Sequence, residues 1–499
     1  MISVQDSGSQ TLAINVRTIM TDTAPTTDRL AATQARLAEF GQEHLLAHAE
    51  TLDDAGQAKL IAQIEGIDWP EVARLIDTHV KAKPTFELTG EITGAPSYPA
   101  EPNTDDLKAK YAEAREVGER MIREGKVAAF CVAGGQGSRL GWDGPKGTYP
   151  ASPIRDATLF QLFAEQLLKL RAKYGVVVPF YVMTSPINHE ATADFFRQHD
   201  CFGLNPDDVM LFPQAMMPAI DMTTAKCLLA APDELALSPN GHGGSLKALH
   251  TSGALADMEK RGIRHLSYVQ VDNPLVKVVD PLFIGLHKLD KAQMSSKSLA
   301  KRDALEKVGN FALVDGKMTV IEYSNMPDEL AKKTNADGTL VFNAGSIAIH
   351  VIAVDFVKAI NTSPDGFALP WNRAEKKVAF WDGQQTVTPQ KPNAIKLETF
   401  VFDALPMCEH SVVLETVRQE EFAPIKNADA PEGHPLAQDS PASSKQLQVD
   451  RAKRWLEKAG VRCGKEATVE LKPTTAIEPS DLDSLDLPES IDAGSRLVI

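Results

Sequence analysis

Between positions 28 and 80 apolar residues recur at helical spacing: Leu30, Leu37 and Phe40, then Leu45 and Leu46, then Leu60, Ile61 and Ile64. That period predicts a helical N-terminal unit, with Trp69-Pro70 opening a further helix, since proline is tolerated in a first turn. Residues 83–106 are rich in Pro, Gly and Thr and read as a connector before a helix over about 106–124. The pattern then changes. Residues 127–133 (VAAFCVA) form a short apolar run without alternation, as a strand buried on both faces requires. A glycine-rich stretch follows, then an amphipathic helix over 158–174 carrying Leu159, Leu162, Phe163, Leu167 and Leu170, then a second apolar run at 176–184. Together these make one βαβ unit. Residues 266–272 (LSYVQVD) predict another core strand, and 311–314 with 318–323 flank Asp315-Gly316, a hairpin signal. The sheet is therefore expected to be mixed. Past residue 428 the chain loosens into Pro, Ser and Asp, recovers one helix over about 444–459 ended by Gly460, and finishes in short β-like pieces. The acidic stretch 481–486 reads as solvated linker, and no internal repeat is visible. The expected division is a helical unit over 1–110, an α/β domain over 111–430 and a small C-terminal unit over 431–499.

Charge and cysteine usage narrow the partners. Lys and Arg total 52 against 67 Asp and Glu, and the resulting net charge of −15 opposes a phosphate backbone, so no nucleic-acid partner is expected. Cys131, Cys201, Cys227, Cys408 and Cys463 lie far apart with no CxxC pair, which argues against a disulfide framework and for a reducing compartment. Asp6 sits among the first residues with no signal-peptide core, and no run of about 18 apolar residues occurs, so a cytoplasmic protein without membrane contact is expected.

The segment AGGQGSRLGWDGPKG at 133–147 carries the most chemistry, because it follows a buried strand directly. There Gly134, Gly135 and Gly137 let main-chain N–H groups approach a phosphate, while Arg139 and Lys146 supply positive charge. The bland alternative is a tight turn with two solvated cations. A dinucleotide fingerprint fails, because Leu140 stands where the third glycine belongs and no acidic residue ends the 176–184 run. A P-loop fails too, since neither Gly135 nor Gly141 begins G-x-x-x-x-G-K-[ST].

What remains, GG-x-G-x-R-L followed by PKG, resembles the signature of sugar nucleotidyltransferases. The segments GQEHLL, FCVAGGQGSRLG, GPKGTYP, MTSPINHEAT, FFRQHDCFGL, PQAMMPA, VDNPLVKVVDP, VIEYS, LVFNAG, KPNAIKLETFVFD and EEFAPIKNAD are similar, in order and spacing, to the eukaryotic-type UDP-N-acetylhexosamine pyrophosphorylases of the UDPGP family, from about residue 40 to 430. The resemblance implies a Rossmann-like, mixed-sheet nucleotidyltransferase domain of the glycosyltransferase-A-like kind. It implies UTP and a sugar 1-phosphate as substrates, UDP-sugar and pyrophosphate as products, and Mg²⁺ as cofactor.

By the same resemblance Arg139 and Lys146 are catalytic, and the nucleotide contacts are Ala133, Gly134, Gly135, Gln214 for the uracil edge, Gly241, Asp272 and Lys396, with Asp272 also the metal ligand. The sugar-phosphate side takes His242, Glu322 and Tyr323 in VIEYS, Asn343 in FNAG, Ser346, and Lys426 in PIKNA. Taken alone, Gln214 is a polar loop residue, Lys396 a solvated helix cation, Glu322 an exposed hairpin residue and Lys426 a surface charge. The sequence departs from the acetamido-sugar pattern at His242 and Ser346, where the family usually has Asn, and Gly-His-Gly is more similar to glucose-type enzymes. N-acetylglucosamine 1-phosphate is thus the first expected substrate and glucose 1-phosphate the second. A non-catalytic nucleotide-sugar binder is the reading from another class. A monomer or weak homo-oligomer is expected. His44 and His48, four apart with no third ligand nearby, read as a packed or solvated face, and Phe195, Phe196, Phe400 and Phe402 as core.

Overall fold

The computed structural model describes residues 15–16, 26–84, 88–363 and 367–499, and the expectation about Asp6 falls outside them. Its centre is a mixed sheet. Val209–Pro213, Phe180–Thr184, Val127–Val132 and His265–Gln270 lie side by side in that order, all parallel. Ala344–Ala353 then runs antiparallel to His265–Gln270, and Met294–Ala300 antiparallel to Ala344–Ala353. Ser411–Glu415 closes this side in parallel with Met294–Ala300. The strand Val127–Val132 is buried on both faces, as its unbroken apolar run predicts: Val127, Ala129 and Cys131 join one hydrophobic core, Ala128 and Phe130 the other.

Local signals account for the connections. Thr158 accepts the Gln161 N–H and so caps the helix Leu159–Tyr174, which ends at left-handed Gly175. Gly309–Val314 and Lys317–Ile321 form the expected hairpin, with positive φ at both Asp315 (49°) and Gly316 (77°). Glu322 and Tyr323 lie just past its second strand.

Several boundaries differ from expectation. The strand expected over 176–184 is only Phe180–Thr184, because Pro179 lacks the N–H to extend the ladder. The strand expected over 266–272 is His265–Gln270, so Asp272 lies beyond the sheet edge. The connector contributes a short strand, Ile92–Gly94, to the hairpin. Residue 110 falls inside the helix Asp105–Arg123, which packs backbone to backbone on Pro281–Leu289: a Cβ added to Gly285 would stand 1.6 Å from Ala114 O. That helix belongs to the α/β core. The N-terminal helices Thr26–Glu39, Asp54–Glu65 and Trp69–Leu75 share one hydrophobic cluster with Ile220, Leu229, Ile395 and Leu397, so their core is completed by the central region.

The C-terminal helix Pro441–Lys458 is capped by Ser440 and followed by two parallel strand pairs. The acidic stretch is not free linker: Asp481 accepts from Lys173 Nζ at 2.8 Å and from Ile477 N–H at 3.0 Å, and Leu482 is buried. Glu478 beside it pairs with both Lys173 and Arg115. All five cysteines are free. Among the described residues no helix is long and apolar enough to cross a membrane.

Candidate functional site

Four parallel strands deliver their carboxyl ends to one edge of the sheet, and the chain leaves them at Ala133, Ser185, Gln214 and Val271-Asp272. From Val127–Val132 the chain crosses to Phe180–Thr184 on one side, while His265–Gln270 lies on the other, so the loops after these two neighbours diverge and open a crevice. Across it Lys146 Nζ stands 3.7 Å from Asp272 Oδ2.

The glycine loop is shaped from behind. Asn188 Nδ2 donates to Ala133 O at 3.0 Å and to Gly135 O at 3.2 Å. In a trans peptide the N–H points opposite to its C=O, so the N–H groups of Gly134 and Gln136 are turned away from Asn188, and neither has a protein acceptor among the described residues. Lys146 N–H donates to Gly135 O at 3.0 Å and Gly137 N–H to Gly144 O at 2.9 Å, folding the loop back on itself. It folds around Trp142, whose Nε1 donates to Thr148 Oγ1 at 2.9 Å and whose ring meets Tyr149 edge-on. Arg139 is exposed and has no ion pair among the described residues.

Gln214 lies beside this loop: a Cβ on Gly134 would be 3.1 Å from its Nε2, and its Oε1 is buried without a partner. The turn at 239–244 approaches the backbone at 398–400, and a Cβ on Gly241 would stand 2.3 Å from Thr399 O. That approach excludes any side chain, and Gly241 has a φ of 82°. His242 Nδ1 accepts the Val401 N–H at 3.1 Å, which places the ring proton on Nε2, and burial lowers its pKa to about 4. Its ring lies 5.4 Å from Phe400 and 5.5 Å from Phe402.

Beyond His242 opens a cleft lined by His242, Asp272, Glu322, Tyr323, Ser346 and Lys426 among others. Burial raises the Glu322 pKa, opposed by the Lys426 charge. Burial also raises that of Asp403, to about 6, and Glu322 adds to the rise. Asn343 lies outside the lining, with its Oδ1 accepting the Lys301 N–H at 3.2 Å. Lys396 is on the strand Ala394–Glu398 rather than a helix, also outside the lining; it shares a strand face with Glu398, which adjoins Gly241.

Sequence reasoning missed Gln270, Lys307 and Phe402 in the cleft lining, and Asn188 behind the loop. Phe402 was expected in the core, and it is both buried and part of the wall. Gln270 and Asn188 lie beside or within quoted segments, which is a signal of proximity only; Lys307 carries no local signal. His44 Nε2 lies 2.8 Å from Cys227 O, a packing contact, and among the described residues no group of three His, Cys, Asp or Glu is placed to hold a metal.

The chain is 36% identical over 448 residues to UDP-N-acetylhexosamine pyrophosphorylase-like protein 1 of Homo sapiens, covering 86% of each chain. It is 35% identical over 439 residues to the UDP-N-acetylglucosamine pyrophosphorylase of Saccharomyces cerevisiae, covering 85% of this chain and 90% of that one. In fold it is similar to the uridine diphosphate N-acetylglucosamine pyrophosphorylase of Trypanosoma brucei, with TM-score 0.78 and 24% identity over 93% of this chain and 98% of that one. The profile of the UTP–glucose-1-phosphate uridylyltransferase (UDPGP) family matches residues 96–458, so the chain belongs to this family of nucleotidyltransferases.

Proposed function

We propose that the protein joins UTP to N-acetylglucosamine 1-phosphate, releasing pyrophosphate. The observation that carries this reading is the pairing of Lys146 with Asp272 between two unlike compartments: a loop with unpartnered N–H groups on one side, a cleft lined by His242, Glu322 and Lys426 on the other. The loop N–H groups and Arg139 suit a triphosphate, and the unpartnered Gln214 Oε1 suits a donor such as a nucleobase N–H. Glu322 and neutral His242 offer an acceptor and a donor to sugar hydroxyls or an acetamido group, and Lys426 suits the sugar phosphate.

In the proposed reaction a sugar-phosphate oxygen attacks the α-phosphorus of UTP. One P–O bond forms, the bond to the β-phosphate breaks, and pyrophosphate leaves, so no enzyme nucleophile is needed. Lys146 and Arg139 offset charge building on the departing pyrophosphate, a kind of contact whose loss costs roughly a hundredfold in rate. The donor set fits Mg²⁺: a single carboxylate, Asp272, is the arrangement for an ion that keeps its waters and binds substrate phosphates. When bound, Mg²⁺ supplies charge neutralisation between the two phosphates.

His242 and Ser346 favour a second substrate, glucose 1-phosphate, because neither reproduces the family's usual Asn. Pyrophosphate release with UTP and each sugar phosphate tests the reading. A higher kcat/KM for N-acetylglucosamine 1-phosphate is expected. A preference for glucose 1-phosphate replaces the first substrate by the second, and UTP binding without turnover of either makes the protein a nucleotide binder.

A further inference from the structure

Two charged residues of the cleft lining, Asp272 and Lys426, sit on the segments 271–275 and 420–426, which are irregular backbone apart from the end of a short helix at 420–421. Nothing in strand or helix geometry fixes their separation. Three links do. Ile425 N–H donates to Asp272 O at 2.8 Å. Asn273 donates through Nδ2 to Glu421 O at 2.7 Å and accepts the Ala423 N–H at 2.9 Å. The third link comes from outside both segments: Arg451 Nη1, on the C-terminal helix Pro441–Lys458, donates to Leu275 O at 2.9 Å and to Glu420 O at 3.0 Å. One cationic group thus holds a carbonyl from each segment.

The same helix grips the second segment at three further side chains, one of them Arg454, whose Nε donates to Glu420 Oε1 at 2.9 Å. Ser444 Oγ donates to Ala423 O at 2.7 Å, and Trp455 Nε1 to Glu420 Oε2 at 2.7 Å. The Arg451 guanidinium lies 4.9 Å from the Trp455 ring centroid, a cation–π contact that adds to its hydrogen bonds. A small misplacement of reacting groups, about 1 Å, is enough to cost about a hundredfold in rate, so the spacing these links set bears directly on turnover.

We propose that Arg451 is a positioning residue for uridylyl transfer, through which the C-terminal helix sets the distance between Asp272 and Lys426. The inference rests on the function proposed above. It touches no substrate; it acts on the two turns that do.

The test compares the full-length wild type with Arg451→Gln and Arg451→Lys. Thermal midpoint, UTP affinity by calorimetry, and kcat and KM for N-acetylglucosamine 1-phosphate are measured for each. Arg451→Gln is expected to bind UTP within about twofold of wild type, while kcat falls at least tenfold and KM for the sugar phosphate rises. Arg451→Lys, a point donor without the planar fork, restores turnover in part. Guanidinium added to Arg451→Ala raises kcat again, which a loss of general stability does not allow. An active wild type with unchanged kcat and KM in Arg451→Gln overturns this inference alone. Parallel loss of thermal midpoint, UTP binding and kcat, without rescue, also overturns it in favour of a purely structural fastener. A wild type silent on both sugar phosphates overturns the inference together with the function it rests on.

Discussion

Lys146 and Asp272 are separated by 3.7 Å, beyond direct hydrogen-bond contact, and each side chain is only 17% and 15% exposed. A pair held this loosely contributes little to stability, on the order of 1 kcal/mol or less, and leaves both groups free to take other partners. Lys146→Met is therefore expected to keep its thermal midpoint within a few degrees while pyrophosphate release slows about a hundredfold. A variant that loses stability and rate together would show that the pair is a fastener. Lys307 illustrates what residue type alone cannot reveal. It reaches the cleft because the strand after it, Gly309–Val314, pairs with Ala344–Ala353, a contact between segments more than thirty positions apart. No local pattern around Lys307 marks that pairing, whereas Asp272 is marked by the apolar run it follows.

At the scale of elements, the glycine loop separates a glycine that packing requires from one that only the proposed function requires. A Cβ on Gly147 would stand 2.1 Å from the Phe160 ring, whereas a Cβ on Gly135 would meet nothing within 4 Å. Gly147→Ala must displace a fully buried aromatic ring and is expected to cost a few kcal/mol of stability. Gly135→Ala is expected to leave the denaturation midpoint unchanged but weaken UTP binding about tenfold or more, because its methyl group enters the space the phosphates need. Calorimetry beside thermal denaturation separates the two, and equal UTP affinity in Gly135→Ala would move the phosphates elsewhere. The loop, its preceding strand and the capped helix Leu159–Tyr174 were legible because each is fixed by neighbours in sequence: an apolar run, Thr158 at the cap, Gly175 at the end. The destinations of Asn343 and the acidic stretch were not, because Lys301 and Lys173 reach them from distant segments. The motif resemblance supplied most of the site roles that periodicity could not.

Across the whole molecule, the antiparallel half of the sheet and its covering helix bury histidines that ordinary composition does not reveal. His350 Nδ1 lies 2.8 Å from Ser296 Oγ and His287 Nδ1 lies 2.8 Å from Ser295 Oγ, while the Nε2 of each is buried without a partner. His265 stands 5.0 Å from His287, ring to ring. Burial lowers the pKa of His265 to about 4 and, with the nearby His242, that of His350 to about 3; burial holds His287 well below its usual value as well. The unfolded chain takes up protons on these residues near pH 6.5, but the folded chain does not until the depressed values are reached. Between those limits the unfolded state binds more protons, so stability is complete above pH 6.5 and is lost as pH falls. While a ring stays neutral in the folded chain and is protonated in the unfolded one, stability falls by about 1.4 kcal/mol for each pH unit below 6.5, a large fraction of a typical total of about 5–15 kcal/mol when several rings act together. Thermal midpoints are therefore expected to drop from pH 6.5 downward, above the range in which ordinary carboxylates titrate. Replacing His350 by Gln is expected to flatten the profile between pH 6 and pH 4, since glutamine takes no proton in either state. A midpoint that stays level from pH 6.5 to pH 5 in the wild-type chain would mean that these rings are hydrated and protonate without unfolding.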